Sequence, residues 1–229
     1  MVSVILLKPL YQGNIGSVAR AMKNFGFSEL VLVGSEIGEE AKKMGMHSQD
    51  ILDEAKVFDS LEDAVESFDL LVGTTSYETD KDNKFLKMNF TPAELKEKLS
   101  QVSGKTALLF GPEDSGLTND ELARCDMTVS IPTTGEYRSM NLSHAVAVLL
   151  YELSSLKGKR DVRIAGRKEL DIMRKNIEEI ANLAGHTEKE KIFNEMVGKI
   201  IGRSMITGRE ASTLIGFLKK VKGELRKIN

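Results

Sequence analysis

Along the first 156 residues, short apolar runs alternate with segments whose apolar positions recur every three or four residues. Residues 2–7 (VSVILL) are apolar almost throughout, the pattern of a strand buried on both faces of a parallel sheet. Pro9 ends the run. After the turn KPLYQGN, the positions Ile15, Val18, Ala19, Met22 and Phe25 share one helical face, with Asn14 placed to cap the helix and Gly26 to stop it. Residues 30–33 read as a second strand, 37–56 as polar and helical in pieces, 61–68 as an amphipathic helix and 70–73 as a third strand. Thr91 followed by Pro92 opens another helix, since a hydroxyl cap with proline in the first turn suits the free amides there. From Thr106 come a buried strand, an acidic turn bounded by Gly111 and Gly116, a short helix, a further strand, a polar loop containing Gly135 and an apolar helix reaching Leu150. This alternation predicts an α/β fold with a mainly parallel sheet.

The pattern changes after Leu156. The stretch SSLKGKRDVRIAGRKE is polar and basic, so the chain divides into a body of residues 1–156 and an extension of residues 157–229. Three helices are expected in the extension, over 169–183, 187–201 and 207–228, with no strand signal. Thr187 with Glu190 and Thr207 with Glu210 each fit a capping box.

Charge follows the same division. The body holds 14 Lys and Arg against 24 Asp and Glu, the extension 18 against 10, and the net charge of −2 hides the contrast. A basic appendage on an acidic body fits a polyanionic partner, although a solvated helical surface explains the same numbers. The single Cys125 excludes an internal disulfide and a cysteine-based zinc site. No apolar stretch approaches membrane-spanning length, and Met1 opens directly into the first strand without a basic leader, so a soluble, cytoplasmic protein is expected.

The candidate chemistry gathers where strands end and helices begin, the places at which open α/β sheets bind ligands. Gly111, Glu113 and Gly116 lie in one such turn, GPEDSGL. Ile131, Gly135, Ser139 and Asn141 lie in the loop before the last body helix. Each has an ordinary structural reading: a turn glycine, a carboxylate near a helix start, capping side chains. His144, one turn inside that helix, reads as a packing histidine, and Arg20 lies off the apolar stripe of its own helix.

Three segments in order, NIGSVARAMKNFGF after the first strand, LLFGPEDSGL at a late strand and IPTTGEYRSMNLSHAVAVLLYE at the last one, resemble the SPOUT methyltransferases. Within them they resemble the SpoU/TrmH family of RNA 2′-O-ribose methyltransferases. The likeness spans residues 1 to about 156. The extended start, the GTTS ending at Ser76 and the helical extension are most similar to its TrmJ-type members, which modify a tRNA ribose at the first nucleotide of the anticodon loop.

The resemblance implies S-adenosylmethionine as methyl donor, S-adenosylhomocysteine as product, no metal, a trefoil knot late in the catalytic body and a homodimer with its sites at the subunit interface. It places the cofactor against Thr75, Ser76, Gly111, Glu113, Ile131, Gly135, Met140, Asn141, Leu142 and Ala145. It assigns the chemistry to Arg20, with Asn14, Glu113, Ser139 and Asn141 around it. Arginine is a poor general base, with a pKa above about 12. The expected role of Arg20 is therefore to hold the phosphate next to the target ribose and to stabilise the forming alkoxide. Glu113 is expected to fix Arg20 by a charge-assisted hydrogen bond. Asp114, where a basic residue is frequent in the family, leaves the site less basic. The extension, residues 157–229, is expected to bind tRNA. Ribosomal RNA as substrate and an inactive RNA-binding body are the alternatives; retention of Arg20 and Asn141 argues against the second.

Overall fold

A computed structural model describes residues 2–76, 89–101, 103–134, 139–156, 163–186 and 190–228. Its centre is a seven-stranded sheet, parallel at every pairing, in the order β3-β2-β1-β6-β4-β7-β5. The strands are β1 (Val2–Leu7), β2 (Leu30–Val33), β3 (Lys56–Phe58), β4 (Leu70–Thr74), β5 (Asn89–Phe90), β6 (Thr106–Phe110) and β7 (Met127–Val129). The expected α/β fold and its parallel sheet are present. Two strands were not foreseen. β3 and β5 sit at the two edges, three and two residues long, and carry no apolar run because an edge strand has few side chains to bury.

Alternation along the strands supplies two cores. Val4 and Leu6 of β1, with Leu30, Leu32, Val72 and Leu108, face α1 (Gln12–Phe25), α2 (Glu39–Gly45), α3 (Gln49–Asp53), α5 (Pro92–Ser100) and α7 (Leu142–Ser154). Ile5, Leu7, Val31, Leu71 and Leu109 face the other way, toward Leu61 and Ala64 of α4 (Leu61–Val65), Phe68, and Cys125 just after α6 (Asn119–Arg124). Helices therefore cover both faces, as a parallel sheet requires. α1 begins three residues earlier than expected, with Tyr11 at the cap and no side-chain cap bond; Asn14 is already inside the helix. Gly26 ends it in the left-handed region, φ 78°, as the sequence predicts.

Past residue 156 the chain forms α8 (Arg167–Leu183), α9 (Glu190–Ser204) and α10 (Gly208–Ile228). They share a small core of Ala165, Leu170, Met173, Ile201 and Ala211. The capping box at Thr207 is formed, with the Glu210 carboxylate accepting from the Thr207 amide at 2.8 Å; the one expected at Thr187 lies outside the described residues. α8 and α9 dock where β4 and β7 begin, and α10 packs on α8. Arg163 bridges to Ser103, Ile164 joins the main core, and Lys199 donates to the Cys125 carbonyl at 2.9 Å. Asp126, fully buried before β7, accepts from the Leu71 amide at 2.8 Å, from Arg167 at 2.9 Å and from Arg174 at 2.7 Å. Against it lies Gly202 of α9, where a Cβ would come within 2.4 Å of the Asp126 carbonyl oxygen.

Candidate active-site cleft

At the opposite ends of the same strands, β4, β6 and β7 run out into loops that enclose a cleft of about 260 Å³. Its apolar floor comes from Phe110, Val129, Leu142, Ala145 and Leu149, buried or half-buried side chains of the sheet and α7. Its walls are loop segments that have left the strand ladder: Thr75 and Ser76 after β4, Gly111 to Leu117 after β6, Ile131 and Thr133 after β7, and Ser139 and Met140 before α7. An apolar slot edged by turn backbone suits a flat heteroaromatic ring, whose faces want van der Waals contact and whose rim wants donors and acceptors.

Of the residues expected to hold a cofactor, Thr75, Ser76, Gly111, Glu113, Ile131, Met140, Leu142 and Ala145 line this cleft. Asn141 stands beside it as the N-cap of α7, and Gly135 lies outside the described residues. Gly111 is glycine for a reason that the sequence did not reveal. Its φ is not positive; instead a Cβ there would fall 2.4 Å from the Gly116 carbonyl carbon and 2.5 Å from the Leu117 nitrogen. The acidic turn closes on itself at that point, and Gly116, φ 65°, supplies its left-handed corner.

The three motifs meet in a directed chain of hydrogen bonds. The Asn141 Oδ1 accepts twice, from the Ser143 amide at 2.9 Å and the Ser143 hydroxyl at 2.7 Å. Its Nδ2 donates to Asn14 Oδ1 at 3.2 Å, and Asn14 Nδ2 donates to Glu113 Oε1 at 2.7 Å. Glu113 Oε2 accepts from the Leu10 amide at 2.8 Å and so pins the loop between β1 and α1. Donors and acceptors fix the orientation of both amides, and among the described residues each Nδ2 keeps one N–H unspent. Ser143 was not foreseen; its signal was its place two residues past an Asn cap.

Two expectations change. Glu113 does not hold Arg20: its carboxylate is taken by Asn14 and the Leu10 amide, while Arg20 is exposed on α1, without an ion pair among the described residues. His144 is not a packing residue, because α7 turns it to the surface. Ser139 is exposed at the cleft's edge.

A doubly covered parallel sheet with its cleft at the carboxyl ends of β4, β6 and β7 is the architecture of the SPOUT methyltransferase class. TrmJ from Z. mobilis ZM4 superposes with a TM-score of 0.78 at 27% identity, covering 97% of this chain and 99% of that one. The SpoU methyltransferase AviRb from Streptomyces viridochromogenes, solved with AdoMet, superposes with a TM-score of 0.51 at 26% identity, over 67% of this chain and 59% of that one. In sequence, the tRNA (cytidine-2′-O-)-methyltransferase TrmJ of Methanocaldococcus jannaschii is 37% identical over 96% of this chain and 99% of its own length. The tRNA (cytidine/uridine/adenosine-2′-O-)-methyltransferase TrmJ of Pseudomonas aeruginosa is 33% identical over 96% and 93%. The SpoU rRNA Methylase family model matches residues 1–151, and the chain belongs to that family of RNA methyltransferases.

Proposed function

We propose that the chain transfers a methyl group from S-adenosylmethionine to a ribose 2′-hydroxyl of tRNA, at the first nucleotide of the anticodon loop, with cytidine or uridine there. The hydrogen-bond chain from Ser143 through Asn141 and Asn14 to Glu113 carries the reading, because it ties all three motifs to one mouth of one cleft. Near full-length likeness to two TrmJ proteins supports tRNA over ribosomal RNA.

The cleft's lining fits the donor. Leu142, Ala145 and Ile131 offer apolar contact to the adenine, and the turns at Thr75, Gly111 and Met140 offer backbone groups to its edge and to the ribose. When bound, S-adenosylmethionine supplies an electrophilic methyl on a sulfonium, so the chemistry needs an aligned, deprotonating hydroxyl and no metal. The unspent N–H groups of Asn14 and Asn141 are placed to donate to that oxygen as charge develops on it. Arg20, with no ion pair among the described residues, grips the neighbouring phosphate, which brings the hydroxyl into line, and the phosphate or a water takes the proton.

The trefoil knot and the homodimer belong to this proposal. β6 and β7 flank β4, and α7 then returns across the sheet to lie on α1 and α5, which is the course a threaded C-terminal segment takes. Leu10 and Tyr11, 51% and 62% exposed beside Glu113, give a second copy an apolar seat at the cleft's mouth. The test is Arg20→Ala assayed with tritiated donor and tRNA, alongside calorimetric titration with S-adenosylmethionine. Transfer is expected to vanish and cofactor affinity to stay. Substantial residual turnover overturns the role of Arg20. Mapping the methylated nucleotide in RNA from a deletion strain and its complement reads the substrate directly, and a ribosomal site would replace tRNA in this reading.

A further inference from the structure

The wall of the cleft carries a charge that neither the hydrogen-bond chain nor the fold uses. Two carboxylates line it, Glu113 and Asp114, and its described lining residues include no Lys, Arg or His. Glu113 is spent, because its oxygens accept from Asn14 and from the Leu10 and Tyr11 amides. Asp114 is not. It is exposed, one of its oxygens accepts from the Ser115 hydroxyl at 2.9 Å, and no cation pairs with it among the described residues. Residues 135–138 of the facing loop, outside the described set, hold one Glu and one Arg and leave the formal sum unchanged.

Local structure does not call for this carboxylate. The acidic turn is closed by the Gly116 amide on the Pro112 carbonyl at 2.8 Å, and α6 is capped by Thr118 with Glu121. An RNA substrate gains nothing from it either, since binding RNA means neutralising phosphates. What it can act on is the small ligand. S-adenosylmethionine and S-adenosylhomocysteine share adenine, ribose and amino-acid groups, so an apolar floor and turn backbone hold both alike. They differ by one methyl and by the positive charge of the sulfonium. A cleft of about 260 Å³ is comparable in width with the screening length at physiological salt, about 8 Å, so a charge on its wall acts on a charge held inside.

We infer that Asp114 is a specificity-determining residue of the cleft, whose carboxylate favours the sulfonium of S-adenosylmethionine over the uncharged thioether of S-adenosylhomocysteine; that the cleft binds this pair rests on the function proposed above. Transfer of the methyl removes the positive charge, so the carboxylate loses its attraction for the ligand at the moment the ligand becomes product. Spent cofactor is then held less tightly than fresh donor, and the cleft clears for the next turnover. Because the attraction is present before the reaction and fades during it, this is a ground-state preference, and it is read in binding rather than in the chemical step.

Isothermal titration of the full chain tests it, with S-adenosylmethionine, S-adenosylhomocysteine and sinefungin, whose protonated amine stands where the donor has its sulfonium methyl. Asp114→Asn removes the charge and keeps the oxygen that accepts from Ser115. It is expected to weaken S-adenosylmethionine and sinefungin by roughly two- to fivefold, the effect of one solvent-exposed charge pair, and to leave S-adenosylhomocysteine unchanged. In wild type, raising the salt to about 1 M, where screening shortens to about 3 Å, should shift the donor-to-product affinity ratio toward that of the variant. Equal losses for all three ligands mean a disturbed turn and overturn the inference, as do three unchanged affinities or a wild-type ratio indifferent to salt. A wild-type chain that binds none of the three overturns the proposed function as well. If the ratio shifts as expected and no tRNA is methylated, the inference stands and the proposed activity falls.

Discussion

Removing the Asp126 carboxylate should loosen the extension from the body. Asp126 is fully buried, and its two cationic partners are 13% and 26% exposed, so Asp126→Ala leaves two largely desolvated guanidiniums facing each other, with only the more exposed Asp171, 3.3 Å from Arg174, as counter-charge. Their Nε atoms are already buried without a hydrogen bond, which leaves little to compensate the loss. Breaking a buried pair by removing one member costs about 3–5 kcal/mol; the residual exposure of Arg174 puts the expected cost near the lower end, about 3 kcal/mol. For a chain of this size that corresponds to a fall of roughly 6–12 °C in thermal midpoint. Differential scanning calorimetry measures it, and limited proteolysis with mass spectrometry should show the extension released before the body. Glu179→Ala, which breaks a surface cluster with Lys222 and Arg226, is the comparison and should lower the midpoint far less. An Asp126→Ala protein with a wild-type midpoint and an uncleaved extension would refute the clamp.

Three further outcomes follow from the site and its surroundings. Ser143→Ala, which takes one of two donors from Asn141 Oδ1 and leaves the backbone amide, should lower turnover with cofactor affinity unchanged, and Ser143→Thr should restore it; a loss that threonine does not rescue, or one confined to KM, denies Ser143 its positioning role. Ala145→Phe should fill the cleft floor and abolish thermal stabilisation by S-adenosylhomocysteine, whereas an undiminished shift would place the cofactor elsewhere; Gly111→Val cannot serve, since it would break the acidic turn itself. Burial pushes the Cys125 thiol up from 9.0 to about 12, so the folded chain keeps a proton that the unfolded chain releases. Its contribution is intact below pH 9 and is lost as pH rises to about 12, with a slope of up to about 1.4 kcal/mol per pH unit. Urea titrations of wild type and Cys125→Ala should therefore converge in alkali, and parallel curves would refute the assignment.

The central strands and the longer helices were legible because burial writes itself into sequence as apolar runs and three-to-four periodicity. β3 and β5 were not, because an edge strand two or three residues long buries too little to leave a pattern. The cleft was legible as a set of turns, and its lining was largely foreseen. What the residues do there was less so. Asn14 looked like a helix cap because Asn is a good one, but its amide reaches a carboxylate 99 positions away. Glu113 was paired with Arg20 on charge alone, and the geometry gave it to neutral donors instead. Asp126 carried no signal, since its cations arrive 41 and 48 residues later on a helix whose docking the local pattern does not encode.

The place of β6 between β1 and β4 has a consequence for synthesis. β1 leaves the ribosome first, yet the neighbour that covers its inner edge begins only at Thr106. At elongation rates of about 5–20 residues per second, that edge waits roughly 5–20 s for its partner. During the wait β1 and β4 expose apolar strands with unpaired backbone, the condition under which nascent chains aggregate or need a chaperone. A message truncated before Thr106 would yield a product that cannot close its sheet at all, so the cell's tolerance for incomplete copies of this protein should be low.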